Sequence, residues 1–183
     1  MMPGRRITGT REGLGPVTTG HPILAVGPGA RRWHVGVKEN TALVLRFYEE
    51  VWNRGNVDVT SEVFAPDYVR HDLRPSEAPP GPAGQAKVAA DFRAAFPDLR
   101  MVVDLILAEG DLVAARWTTE GTNTGPWGGR PPTGTWARFS GVNIFRFRDG
   151  KVAELWNHRD DLGLIQQLGA EIYPGAALSD DGE

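Results

Sequence analysis

Near the C-terminus, the run Gly150-Lys151-Val152-Ala153-Glu154-Leu155-Trp156-Asn157-His158-Arg159-Asp160-Asp161 carries three chemically useful side chains at alternate positions: Trp156, His158 and Asp160. In an extended strand, alternate side chains share a face, so these three would stand side by side. An aromatic wall beside an imidazole and a carboxylate could carry out proton transfer. If apolar residues enclose that face, they disfavour the charged carboxylate and raise its pKa toward neutrality. Asp160 is then the first candidate for general base and acid. His158 could relay a proton, orient Asp160 or hydrogen-bond a substrate carbonyl. Both also have structural readings, Asp160 as the cap of a helix starting near Asp161 and His158 as a half-buried histidine satisfied by backbone.

Other residues could join such a site. Trp52, Phe139, Phe145 and Trp156 could supply the apolar wall, and Tyr48 and Phe92 lie on helical stripes that could face a ligand. Arg116 interrupts Leu112-Val113-Ala114-Ala115, where it either binds a substrate enolate or carboxylate or forms a structural ion pair. Trp117 points the other way and reads as packing. Metal binding is not expected, because His158 and Asp160 have no third ligand at suitable spacing. No phosphate loop, dinucleotide fingerprint or nucleophile elbow is present, so no cofactor is expected.

Local patterns define the elements that must position these groups. Thr41 to Trp52 places Leu43, Phe47, Val51 and Val44, Tyr48, Trp52 at helical spacing, ended by Asn53-Arg54-Gly55-Asn56. Val59 to Phe64 predicts a short second helix stopped before Pro66. Pro75 to Gly84 predicts a loop, and Gln85 to Phe96 a third helix closed by Pro97. Four strands follow, over 100–108, 112–121, 135–148 and 151–159, with turn signals at Glu109-Gly110-Asp111 and Asp149-Gly150. A helical turn over 162–168 closes the chain. Helices first and an antiparallel meander second imply an α+β fold, with the helices packed on one face of a curved, mostly antiparallel sheet. A cone built that way would hold an apolar ligand at its open mouth.

The Asp149-Gly150 turn decides what stands beside His158. A two-residue turn pairs Arg148 with Lys151 and sets Asn143 opposite Trp156 and Gly141 opposite His158. A three-residue turn with a Gly bulge shifts the register by one and brings Arg146 beside Val152 and near Glu154. Asn143 is therefore a conditional pocket residue.

Composition sets the outer limits. The 183 residues suffice for one domain with a real core, and 40% are hydrophobic. The formal net charge of −3 argues against nucleic-acid binding. With no cysteine, disulfides and thiolate chemistry are excluded. No apolar run reaches the length of a membrane span, and a cytoplasmic protein is expected. Residues 1–37 hold eight glycines, four prolines and five arginines with little periodicity. They read as a flexible extension, or as an arm covering a partner subunit. The domain is expected over 38–172, followed by a tail over 173–183.

An ordered set of short motifs spans roughly 40–170: Phe47-Tyr48-Glu49-Glu50-Val51-Trp52-Asn53, Tyr68-Val69-Arg70-His71, Phe96-Pro97-Asp98-Leu99, Glu109-Gly110-Asp111, Gly121-Thr122-Asn123-Thr124-Gly125, Pro131-Pro132-Thr133-Gly134, Asp149-Gly150-Lys151, Trp156, Asp160 and Gln167-Leu168-Gly169. With this set the chain resembles a SnoaL-like polyketide cyclase or ester cyclase of the nuclear transport factor 2-like superfamily. The resemblance implies a cone-shaped α+β barrel and a homodimer. It also implies a cofactor-independent intramolecular aldol closure of a hydrophobic, polyketide-like small molecule in secondary metabolism. Asp160 matches the family's general acid/base, and His71 matches a residue at the pocket mouth. Asn123 stands where the family often has a histidine, which weakens any role of that loop in proton transfer. The same fold hosts hydroxylases, epoxide-opening enzymes and non-catalytic binding modules, so these remain alternatives.

Overall fold

The computed structural model describes residues 33–72 and 78–170. Most of the expected extension and all of the expected tail lie outside the described residues. Helix α1 (Trp33–Arg46) starts within the stretch assigned to the extension. It runs on as a π-helical segment, Phe47–Asn53, which buries Phe47, Tyr48, Val51 and Trp52. The wider π turn gives four large side chains one broad inward face, and such segments often sit at functional sites. A 3-10 turn (Val57–Val59) and the short α2 (Thr60–Val63) follow. Helix α3 (Gly81–Ala95) starts four residues before the expected position, because Pro82 is tolerated in a first helical turn.

The sheet has five strands in the order β1-β5-β4-β3-β2. The expected four are present as β2 (Arg100–Glu109), β3 (Leu112–Thr122), β4 (Trp136–Arg148) and β5 (Lys151–Arg159). The unexpected fifth, β1 (Phe64–His71), pairs parallel with β5 at the sheet edge. Its register breaks between Phe64 and Val69, around Pro66, where proline's missing N–H is tolerated. That proline is what disguised the strand. The helices and the inner face of the sheet share one core, with Phe47 in ring contact with Tyr48, Trp52, Phe64 and Phe145.

The β4–β5 hairpin begins in the expected two-residue-turn register and then, at a bulge within β5 rather than at the turn, departs from both expected registers. Asp149 (φ 52°) and Gly150 (φ 76°) form a two-residue turn with both residues left-handed, and Arg148 pairs with Lys151. Phe147 pairs with Val152, but Arg146 then pairs with Glu154, leaving Ala153 as a one-residue bulge. Beyond it Asn143 faces Asn157, Val142 faces His158 and Gly141 faces Arg159. Val152 and Leu155 are both fully buried although their numbers differ by an odd count, which one extra residue makes possible.

Candidate functional site

The bulge at Ala153 exchanges the faces of β5. Leu155, Asn157 and Arg159 turn toward the helices, while Glu154, Trp156 and His158 turn outward. Reading across β3, β4 and β5 therefore gives a ladder of inward rows. Val113, Phe145 and Leu155 form a fully buried floor. Above it come Ala115, Asn143 and Asn157, and then Trp117, Gly141 and Arg159. The helical side adds Tyr48 and Trp52 from the π turn and Gln85, Val88 and Phe92 from one stripe of α3. Arg70 from β1, Met101 from β2 and Phe139 from β4 complete the lining. The gaps among these side chains, together with the open solvent at the mouth, amount to about 390 Å³.

This cavity has an unusual polar inventory. Tyr48 Oη, Trp52 Nε1, Trp117 Nε1 and Gln85 Nε2 are all buried without a hydrogen-bond partner in the protein. All four residues line the cavity and none is more than 8% exposed. The orientation of the Gln85 amide is fixed by its neighbours. Its Oε1 accepts from Arg70 Nη1 (2.9 Å) and Tyr68 Oη (3.2 Å), and an arginine can only donate, so Nε2 must face the cavity side. Asn143 Oδ1 accepts from Asn157 Nδ2 at 2.5 Å. Burial pushes the Tyr48 phenol well above its usual pKa, an effect that nearby Asn143 and Arg70 only temper, so it stays protonated. Although Asn143 is close enough to act on it, no hydrogen bond of proper geometry joins the two.

Charge enters at the rim. Arg70 pairs with Asp72 at 3.0 Å and Arg159 with Asp161 at 2.5 Å. The Arg159 guanidinium lies 5.3 Å from the Phe92 ring centre and 5.5 Å from that of Trp127. No carboxylate or imidazole is among the lining residues.

Of the residues expected at the site, Tyr48, Trp52, Phe92, Asn143 and the wall residue Phe139 meet in this cavity, and the wall residue Phe145 lies in its floor. The others do not. Asp160 is exposed and caps α4 (Asp161–Gln167), its Oδ1 accepting from Gly163 N at 2.8 Å. His158 is exposed on the outer face. Trp156 is also on that face, stacked 4.6 Å from His71, whose Nε2 meets Glu154 Oε2 at 2.7 Å. Arg146 donates to Glu154 (2.9 Å) and covers the Trp156 ring. Hydrogen bonds from His71 and then Arg146 hold the Glu154 carboxyl below its usual pKa. Arg116 is exposed on the outer face and bonded to Asp104, which matches its structural reading rather than substrate binding. Buried Asn123 pins its loop, accepting from Thr133 N at 2.9 Å and donating to Gly125 O at 2.8 Å.

Arg70, Gln85, Trp117, Asn157 and Arg159 are site residues that the sequence reading passed over. Val152 and Leu155 carried the signal for the last two, because two strongly apolar residues at odd spacing imply a bulge between them. Among the described residues, no three His, Asp or Glu side chains converge as a metal site. No described helix is long and apolar enough to cross a membrane.

The family model for SnoaL-like polyketide cyclases matches residues 42–168. The chain belongs to that family. Solved SnoaL-like structures share its fold. TsrD from Streptomyces laurentii is 27% identical, with a TM-score of 0.65 over 75% of this chain and 98% of its own. AclR from Streptomyces galilaeus, a candidate hydroxylase, is 34% identical (TM-score 0.63; 73% and 97% covered). IdmH from Streptomyces antibioticus, a candidate polyketide cyclase, is 33% identical (TM-score 0.61; 72% and 99% covered). No curated protein matches the chain in sequence. The motif order that suggested the family is thus matched by a family model and by solved folds, in a mixed α+β architecture with helices on a five-stranded sheet.

Proposed function

We propose that this SnoaL-like protein binds a hydrophobic, carbonyl-rich, polyketide-like molecule in the Tyr48–Trp117–Asn143 cavity and cyclises it in secondary metabolism by an intramolecular aldol reaction, without a cofactor. The observation that carries this reading is the set of four buried donors without protein partners, set among aromatic rings. Aromatic walls suit a flat apolar skeleton, and the donors suit its carbonyl oxygens. In the reaction, a carbon beside one carbonyl gives its proton to a base. The resulting enolate carbon attacks a second carbonyl of the same molecule, whose oxygen then takes a proton. Donors aimed at the enolate oxygen lower that barrier. On this reading the proton acceptor belongs to the rim, where Asp72 stands behind Arg70 and Asp161 behind Arg159, rather than to Asp160. We also propose a cytoplasmic homodimer, whose expected signature is twice the chain mass in light scattering.

Incubation with an aromatic-polyketide precursor is the test. A cyclase yields a product of unchanged mass, or one that has lost water, without oxygen consumption. The likeness to AclR and the lack of a lining carboxylate favour hydroxylation as the second reading. That reading requires oxygen uptake and a product heavier by one oxygen atom. Binding without turnover of any such ketone leaves a ligand-binding module.

A further inference from the structure

Gln85 brings to the cavity an amide of fixed sense. On the sheet side, Asn143 and Asn157 carry amide oxygens as well as N–H groups, so that side can meet a ligand donor or acceptor. On the α3 side, Gln85 Oε1 accepts from Arg70 Nη1 at 2.9 Å and from Tyr68 Oη at 3.2 Å. Both partners are themselves held. Arg70 donates through Nε (3.2 Å) and Nη2 (3.0 Å) to Asp72 Oδ2. The Tyr68 ring centre lies 4.6 Å from that of Phe64, and burial pushes its phenol above the usual pKa, so it stays a donor.

Rotating the amide by half a turn would set Nε2 against the Arg70 guanidinium, donor against donor. A hydroxyl can turn to accept, but an arginine cannot. Loss of a hydrogen bond to a charged group biases such a two-way choice by about tenfold or more. Gln85 and Arg70 also border a wider recess beside Tyr68, between β1 and the start of α3. Nε2 is closed to solvent and has no protein partner, so it belongs to the inner cavity rather than to that recess. Bracing β1 against α3 needs only Oε1. A glutamate would take both bonds, pair with Arg70 and leave no unmatched N–H. What the amide adds is the donor in the cavity.

We propose that Gln85 selects the ligand by polarity at one point, its Nε2 donating to a ketone oxygen, with Arg70 and Tyr68 as the positioning residues that keep the amide from turning over. This rests on the ligand-binding reading above and specifies which wall reads a carbonyl. A bare ketone meets that donor directly. A hydroxyl in its place accepts from Nε2 only by turning its own proton elsewhere.

The probes are 1-tetralone, a two-ring ketone, and 1-tetralol, the same skeleton with a hydroxyl, each titrated by calorimetry into the full chain. The quantity read is the ratio of their dissociation constants, because general damage to the cavity weakens both. The parent should bind 1-tetralone the more tightly. Gln85→Glu keeps an acceptor for Arg70 and Tyr68 but replaces the donor by an acceptor, ionised beside Arg70 at pH 8. The ratio should move toward 1-tetralol by about tenfold or more, with circular dichroism confirming the fold. Arg70→Met frees the amide to turn over and should move the ratio the same way by about two- to fourfold. An unmoved ratio there removes Arg70 from the positioning role. Tighter binding of 1-tetralol by the parent, or a folded Gln85→Glu protein whose ratio stays within about twofold of the parent's, overturns the proposal. Gln85 is then a brace, and the cavity reading survives because both probes bind. If Gln85→Glu does not fold, Gln85→Met takes its place, and an unmoved ratio counts against the proposal in the same way. If neither probe binds the parent, the proposal falls together with the assignment of this cavity as the ligand site.

Discussion

The two faces of the sheet use polar side chains in opposite ways. On the outer face, His71, Glu154, Arg146 and Trp156 satisfy one another, as do Arg116, Asp104 and Thr118. These groups are partly or fully open to water, where such pairs add little to stability. On the inner face, the buried donors of Tyr48, Trp52, Gln85 and Trp117 line a cavity and have no hydrogen-bond partner in the protein. Unmatched donors of this kind oppose folding, whereas the outer network is nearly neutral. The more reactive-looking set, rich in imidazole and carboxylate, is therefore the one that is chemically self-contained. The quieter set of amides, indoles and a phenol is left to meet something else.

Removing the device that separates the faces is the most drastic way to break this contrast. Deleting Ala153 forces β5 into continuous register and turns Leu155, Asn157 and Arg159 outward. The domain should lose cooperative unfolding altogether, as measured by circular dichroism on heating. A deletion variant that melts cooperatively near the parent would show that the bulge is dispensable. Arg159→Met is milder and targets the inner rim. Loss of its stacking on Phe92 and Trp127 and of its pair with Asp161 should lower kcat/KM about ten- to thirtyfold, with the fold intact. An unchanged kcat/KM would move the active centre away from this face.

Asp160 tests the contrast from the other side. Asp160→Asn keeps a good helix cap and should leave turnover within about twofold. Asp160→Ala should cost about 1 kcal/mol in denaturant titration through the lost cap alone. Abolished turnover in the Asn variant, with normal stability, would restore Asp160 as the acid/base and overturn the assignment of chemistry to the inner face. The smallest effect concerns Glu154. Its folded-state pKa is held below the ordinary 4.5, so its contribution is present above that value and fades as pH falls through the lowered one. Glu154→Gln should slightly lower the melting temperature at pH 7, and the gap should close as pH falls from 4.5 through the lowered value. A gap that widens in acid would reverse the sign of this interaction.

Periodicity and turn chemistry made most of the fold legible. Helical spacing around Phe47 and Val88, alternation after Arg100, and the Asp149-Gly150 turn all report local geometry, which short stretches of sequence encode directly. Strand β1 was hidden by Pro66 and by its parallel pairing with a strand about ninety residues away, which leaves no local turn signal. The helix-borne site residues Tyr48, Trp52 and Phe92 were readable because a helical stripe fixes which side chains face the core. The β5 residues were not, because one residue of register decides the face of every later side chain. The eye goes to Trp156, His158 and Asp160, whereas the parity of Val152 and Leu155 assigns the interior to Asn157 and Arg159.

Gly141 lies between Trp117 and Arg159 in the inward row, and a Cβ placed on it would come within 2.4 Å of the Trp117 ring and 2.5 Å of His158 O. The indole thus occupies space that any other residue at 141 would claim. Positions 117 and 141 compete for one volume, so a larger side chain at 141 needs both a smaller one at 117 and a shift of the His158 carbonyl. An evolving lineage that traded one for the other would change the shape of the chamber and delete an N–H in a single exchange, and could thereby move from one ligand to another without touching the rim.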